Sequence, residues 1–245
     1  MVRVTKAQQE QWKNEGYLVV EEAYEGEDLK RLQEAFDRCS EEARPQWLKG
    51  VEAGTQPAAF FDIPTPLEKD DAFIDLADHS SYFGLLMDLL GEDLVFHGAQ
   101  VRTLPLSPIS YVGWHPDIPH TQPQHIKVQV YVDDVPLNGG AFAYVPGSHQ
   151  PNADPCPVVH QLERMPGHKV FPGKAGTAIL FSTYGWHTSM VNKSQRPRKS
   201  IILGYSGRHE DKYDPQRYAV IADRLTTAQR RKLFCLESYS SKVPA

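Results

Sequence analysis

Cysteine is scarce and scattered: Cys39, Cys156 and Cys235 are the three in 245 residues. They are odd in number and too widely spaced for a Cys-x-x-Cys metal pair or a disulfide framework, and a reducing cytoplasm suits such thiols best. No apolar run approaches the length of a membrane span, and the opening Met1-Val2-Arg3-Val4-Thr5-Lys6 lacks the apolar stretch of a signal peptide. Basic blocks and basic stripes interleaved with aromatics are also missing. With a net charge of −5, neither nucleic acid nor an anionic membrane is an expected partner. What remains is a chain with 40% hydrophobic residues, enough to bury one sizeable core. One domain acting on a small molecule, as a monomer or small homo-oligomer, is the expectation.

The hydrophobic period changes after Gly91. Thr5 with Gln8 reads as a capping box opening a short helix, and Tyr17 to Glu21 as a strand. Leu29, Leu32, Phe36, Cys39 and Ala43 recur at helical steps, which puts Cys39 in a core rather than at a reactive surface. The turn-rich stretch from Pro45 to Pro66 reads as a loop, either a cover over a site or a plain connection. Tyr82, Phe83, Leu85, Leu86, Leu89 and Leu90 form a second apolar helix face, stopped by Gly91. From Leu94 onward period-two patterns take over, in Phe96 to Arg102, Ile126 to Val132, Gly176 to Phe181 and Lys199 to Tyr205. A last helix is expected near Thr226 to Leu236. The divisions are thus a helical part over about 1–92, a β core over about 93–208 and a helical tail over about 209–245.

One cluster carries chemistry. In Gly113-Trp114-His115-Pro116-Asp117, positions i and i+2 of an extended segment face the same way, so His115 and Asp117 can grip one ion while Pro116 points elsewhere. A second Gly-Trp-His, at Gly185-Trp186-His187, supplies another imidazole 70 residues after Asp117. Two imidazoles and one carboxylate on one face of an octahedral ion are the ligand set of mononuclear non-heme iron, and they leave the opposite face open. His-x-Asp alone recurs by chance in a chain with ten histidines, so its surroundings have to carry the assignment.

Those surroundings are the stretch Asn138-Gly139-Gly140-Ala141-Phe142-Ala143-Tyr144-Val145-Pro146-Gly147-Ser148-His149, then Trp186-His187-Thr188-Ser189-Met190-Val191-Asn192-Lys193-Ser194 with Arg198 eleven residues beyond His187. Together with Trp12 to Val20 they make the chain resemble the phytanoyl-CoA dioxygenase family from about residue 8 to about residue 208. The resemblance implies a mainly β fold with flanking helices, the double-stranded β-helix or cupin-like jelly roll. It also implies Fe(II) held by His115, Asp117 and His187, 2-oxoglutarate as cosubstrate and O2 as oxidant. Arg198 would hold the far carboxylate of 2-oxoglutarate; Arg196, two positions away, could share its face, and the family offset favours Arg198. The implied reaction decarboxylates 2-oxoglutarate to succinate while oxidising a second substrate. Since halogenating relatives have a small residue in place of the carboxylate, Asp117 points to hydroxylation, with desaturation, cyclisation and epimerisation beginning the same way. A jelly-roll metalloenzyme without a keto acid, and a noncatalytic member of the fold, are the other readings.

The strand patterns suggest what lines the interior. Ile126, Val128, Val130 and Val132 would pack outward on helices, which turns Lys127, Gln129 and Tyr131 inward. Gln100 and Arg102 share another inward row. Gln100 and Gln129 are candidate cosubstrate contacts; Arg102, Lys127, Tyr131 and His120 are candidate substrate contacts, and the cations among them, with Arg208, suggest an anionic substrate. Trp114 and Trp186 would pack behind the ion as supports. The remaining histidines, His79, His97, His125, His149, His160, His168 and His209, read as ordinary polar residues. Loops such as Ile118 to Gln124 would choose the substrate.

Overall fold

The computed structural model describes residues 2–107, 112–154, 156, 164–208, 213–214 and 216–236; His160 and His209, and the chain after Leu236, lie outside them. Helix α1 (Lys6–Glu15) opens on the expected capping box, with the Thr5 hydroxyl and the Gln8 amide each satisfying the other's backbone N–H. Strand β1 (Tyr17–Val20) follows, then the long helix α2 (Gly26–Glu52). Its Leu32, Phe36 and Cys39 are fully buried, and burying each of the first two contributes roughly 1.5–3 kcal/mol.

Helix α2 also runs through Pro45, where a loop was expected. A proline inside a helix removes one backbone hydrogen bond and crowds the preceding turn. The turns beyond it are held from outside the helix. The Trp47 ring packs on Phe61 at 5.3 Å and its indole N–H donates to the Pro57 carbonyl at 3.0 Å. The loop therefore begins only at Ala53.

Strand β2 (Phe61–Asp62), short helices α3 (Pro66–Lys69) and α4 (Asp71–Asp75), and α5 (Phe83–Leu90) lead into the β core. That core comprises β3 (Leu94–Leu104), β4 (His125–Tyr131), β5 (Phe142–Tyr144), β6 (Lys169–Phe171), β7 (Ala178–Ser182), β8 (His187–Ser189) and β9 (Arg198–Gly207). Helix α6 (Ala228–Leu233), capped by Thr227, falls within the expected last helix. The strands form a jelly roll of two antiparallel sheets, a six-stranded one in the order β1-β7-β4-β9-β3-β2 and a three-stranded one in the order β6-β5-β8. Both edges of the large sheet come from the N-terminal part of the chain.

The two faces of the large sheet differ as the alternation predicts. Ile126, Val128, Val130, Val132, Leu180, Ile201 and Leu203 face outward into one core with α2, α4 and α5. Inside, a smaller aromatic cluster of Tyr17, Tyr131, Phe142, Tyr144 and Phe181 fills one side of the space between the sheets. A bulge between Phe96 and Gly98 reverses the parity of β3. Phe96 therefore belongs to the outer core, whereas Gln100 and Arg102, an even number of residues later, lie on the inner side. The simple alternation expected across Phe96 to Arg102 does not hold at its start.

Candidate metal centre

The two Gly-Trp-His units build the centre as a matched pair. In each, the imidazole Nδ1 is hydrogen-bonded to the carbonyl of the glycine two residues earlier, at 2.9 Å for His115 with Gly113 and 3.0 Å for His187 with Gly185. A carbonyl can only accept, so Nδ1 carries the proton and each Nε2 keeps a free lone pair. The glycines make this possible. Gly113 has φ +92°, a conformation that favours glycine, and a Cβ on Gly185 would lie 1.8 Å from the buried Tyr144 hydroxyl. The units then pair as an antiparallel bridge, the N–H of His115 and of His187 each donating to the other's carbonyl at 3.1 Å.

Asp117 completes the cluster, its own N–H donating to the Thr183 carbonyl at 2.9 Å. One ligand atom from each of His115, Asp117 and His187 lies within 4.8 Å of the others. Nε2 of His187 is 3.4 Å from Asp117 Oδ2, and Nε2 of His115 is 3.9 Å from Oδ1. Neighbouring ligands each about 2.1 Å from one ion stand roughly 3 Å apart, so small inward movements suffice to close on a metal. The donor set suits iron(II). Asp117 Oδ2 is buried with no hydrogen-bond partner, as befits an oxygen that a cation would satisfy.

Electrostatics keep these groups in ligand form. Burial pulls His187 down to about 4 against the attraction of Asp117, so its ring is neutral at physiological pH. Burial alone would raise Asp117, but in the acid range where this carboxyl titrates the attraction of the His187 ring, and then the charge and hydrogen bond of Lys127, outweigh it and hold the carboxyl below its ordinary range. Lys127 contributes by contact, its ammonium donating to Asp117 Oδ1 at 2.6 Å.

A cavity of about 60 Å³ adjoins the cluster, lined by His115 and His187, by Lys127 and Gln129 of β4, by Gln100 and Arg102 of β3, and by Ile202 of β9, among others. Two residues before Ile202 on the same face is Ser200, and two before that is Arg198. Both are buried, at 0% and 3% exposure. The Arg198 guanidinium donates once to the Gly140 carbonyl at 2.5 Å, while its Nε and Nη2 have no partner. Ser200 Oγ and Gln129 Nε2 are also buried without partners. Such orphaned donors on one face are costly in a folded protein and mark a place for a polar guest. A carboxylate answers a guanidinium with two free nitrogens, so 2-oxoglutarate fits. A larger crevice of about 720 Å³ opens among Gln33, Asp133, Lys199 and Arg198.

The sequence candidates divide accordingly. His115, Asp117 and His187 come together, with Lys127, Gln129, Gln100 and Arg102 around the same cavity. Gln100 is exposed, at the rim. Arg198 is buried and Arg196 exposed, which separates two residues the sequence placed on one face. Tyr131 is interior, but its hydroxyl donates to the Phe171 carbonyl at 2.7 Å and accepts from the Phe142 N–H at 2.9 Å. His120 is exposed and packs on Tyr184. Trp114 stands edge-on to His168. Arg102 is paired bidentately with Asp62 at 2.7 Å, under the ring of Phe60, so the segment before β2 reaches a residue lining the cavity.

Sequence reading passed over Ser200, Asp62 and Phe60. Ser200 could have been found, since it stands two residues after Arg198 in a strand. Asp62 and Phe60 carry no local signal.

Comparison with known proteins agrees with this geometry. The family model described as phytanoyl-CoA dioxygenase (PhyH) matches residues 12–200. A probable alpha-ketoglutarate-dependent hypophosphite dioxygenase of Stutzerimonas stutzeri is 22% identical, over 81% of this chain and 77% of its own length. Among solved structures, HygX from Streptomyces hygroscopicus, with nickel, 2-oxoglutarate and hygromycin B bound, superposes with a TM-score of 0.65 at 16% identity, covering 86% of this chain and 90% of that one. The carbocyclase SnoK from nogalamycin biosynthesis gives 0.62 at 17% identity, over 83% and 84%.

Proposed function

The chain belongs to the phytanoyl-CoA dioxygenase family and is a 2-oxoglutarate-dependent dioxygenase; we propose that it hydroxylates a small molecule at an iron held by His115, Asp117 and His187, with Arg198 anchoring the cosubstrate. The observation that carries this reading is the pairing of two incomplete sites inside one barrel. One is a cluster of two imidazoles and a carboxylate with an unsatisfied oxygen, and the other is a buried guanidinium with two unsatisfied nitrogens.

When bound, iron and 2-oxoglutarate supply oxidative decarboxylation to succinate and the oxidising power for a second substrate. The protein's contribution is arrangement. His115 and His187 present Nε2 because their Nδ1 protons are held by glycine carbonyls. Arg198, with Ser200 beside it, would take the distal carboxylate in a dry environment where a charge-assisted pair is strong. Gln129, directly opposite Ile202 in the sheet register, has a free amide nitrogen for the cosubstrate's path between Arg198 and the metal cluster. Phe142 and Phe181 pack against His187, with ring centroids 5.9 and 4.8 Å away, which keeps water from that ligand's flank.

The intact carboxylate of Asp117 favours hydroxylation over halogenation. The two cations offered by the inner strands, Arg102 and Lys127, are already paired with Asp62 and Asp117. The second substrate is therefore read as neutral or singly negative, and selected mainly at the rim. A cytoplasmic setting fits the free thiols of Cys39, Cys156 and Cys235, and among the described residues no helix is long and apolar enough to cross a membrane.

The test is anaerobic loading with Fe(II) followed by 2-oxoglutarate, watching for the weak visible band of a chelated keto acid. The band is expected in the wild type, absent in His187→Ala and weakened in Arg198→Ala. A fully iron-loaded wild type with no band would overturn the reading.

A further inference from the structure

We infer that Lys127 is a positioning residue for Asp117: its ammonium takes one carboxylate oxygen, so that only the other reaches the metal. The inference rests on reading His115, Asp117 and His187 as the metal ligands, and it assigns Lys127 a task different from the substrate contact its sequence position suggested.

The geometry is asymmetric. Asp117 Oδ1 receives the Lys127 ammonium at 2.6 Å, the short distance of a charge-assisted bond. Oδ2 receives nothing from the protein, is buried, and lies 3.4 Å from Nε2 of His187. Lys127 sits between Phe181 of β7 and Gly204 of β9 in the sheet register, and the Phe181 ring also backs His187 at 4.8 Å. The wall that presents the ammonium is thus the wall that supports a ligand histidine. On the other side, Asp117 is tied by its N–H to the carbonyl of Thr183, just beyond the end of β7. Carboxylate and ammonium are both registered against the same strand.

The consequence concerns coordination positions. A one-oxygen carboxylate and two imidazoles occupy three places of an octahedron and leave three, two for a chelating keto acid and one for O2. Carboxylates bind metals through one oxygen or both. If Asp117 were free to turn, its second oxygen would compete for a place the keto acid needs. Lys127 removes that choice by occupying Oδ1. A lysine reserved for a substrate anion would line the cavity without a counter-ion; Lys127 lines it with its ammonium already paired to Asp117.

The experiment compares wild type, Lys127→Met, Lys127→Gln and Lys127→Arg by anaerobic titration of the Fe(II) proteins with 2-oxoglutarate, following both the affinity and the position of the visible band. Met and Gln retain the side-chain bulk without the ammonium, and either one that folds suffices. In these two variants the affinity is expected to fall about 10-fold or more, the range for partners of metal ligands. Their band should also move, because the keto acid meets a changed donor set, and Lys127→Arg should restore both. A weakened affinity with the band unmoved would show that Lys127 acts only as a charge on the cosubstrate, and would overturn the inference. Unchanged affinity and band would overturn it equally. Absence of the band in the wild type is a separate result, which strikes the iron and keto-acid reading itself.

Discussion

Replacing Arg198 with methionine separates a binding role from a structural one, because the two predict opposite signs. Burial pushes the Arg198 guanidinium down to about 10, a penalty on the order of 3 kcal/mol that is fully present at neutral pH, where the group is protonated. Against this stands one charge-assisted bond to the Gly140 carbonyl, worth roughly 1.5–3 kcal/mol. Removing both leaves the ligand-free protein within about 1–2 kcal/mol of wild type. Binding behaves otherwise. A carboxylate on Nε and Nη2 makes two charge-assisted bonds of roughly 1.5–3 kcal/mol each, so their loss weakens 2-oxoglutarate by about 100-fold or more. The assay is anaerobic thermal unfolding with Ni(II), with and without 2-oxoglutarate at about a hundred times its wild-type dissociation constant. That concentration stabilises the wild type by about 2.7 kcal/mol, or about 5–11 °C for a chain of this size. Arg198→Met should show almost none of this rise. If it keeps the rise, Arg198 is not the anchor; if it loses more than about 3 kcal/mol without ligand, Arg198 is part of the scaffold.

Gly185→Ala puts a methyl 1.8 Å from the Tyr144 hydroxyl and 2.2 Å from its ring carbon Cζ, an overpacking that costs on the order of 3 kcal/mol and displaces the carbonyl that orients His187. A lowered urea midpoint with weakened Ni(II) binding is expected, and wild-type values for both would refute the role given to Gly185. Burial, with the nearby His125 and Arg217 adding to it, pulls His97 down to about 4. Because the folded value lies below the unfolded one, the unfolded chain takes up this proton first as pH falls. His97 therefore withdraws stability between about pH 6.5 and pH 4, on the order of 1–2 kcal/mol after discounting for its partial exposure. Urea midpoints of metal-free protein against pH should fall less steeply for His97→Gln, and identical slopes would sink the argument.

How much of this was readable beforehand depends on whether the determinant is local. The helix faces and the outward row from Ile126 to Val132 follow from periodicity, and the fold puts them where the pattern says. His115 and Asp117 are two apart in an extended segment, and a second Gly-Trp-His announces His187, so the cluster was legible down to its residues. The boundary at Pro45 was misread because a local rule was outweighed by contacts Trp47 makes with Phe61 and Pro57, residues up to fourteen positions ahead. The bulge in β3 could not be seen, since an unpaired residue is defined by the partner strand β9, about a hundred residues later. The pairing of Arg102 with Asp62 was hidden for the same reason, their separation being 40 residues. Lys127 is only ten residues from Asp117, yet the chain between them has no repeating pattern from which the contact could be counted.

These pairings determine what charge the cavity tolerates. Among the described residues near it, Arg102 is cancelled by Asp62 and Lys127 by Asp117, while His187 is neutral, so Arg198 stands as the single uncompensated charge. Iron(II) and the 2-oxoglutarate dianion cancel each other when both are present, and one positive charge remains for the second substrate to meet. That balance matters wherever the substrate is taken out of bulk water, because a surplus negative charge then has to leave water without finding a partner. A substrate with one negative charge or none should then be turned over in preference to its dianionic counterpart. For a substrate that ionises twice, kcat/KM should fall as pH rises through its second pKa, and Asp62→Asn, by freeing Arg102, should flatten that fall. A rise of kcat/KM with the second ionisation would mean that cations at the rim, rather than the inner strands, govern substrate charge.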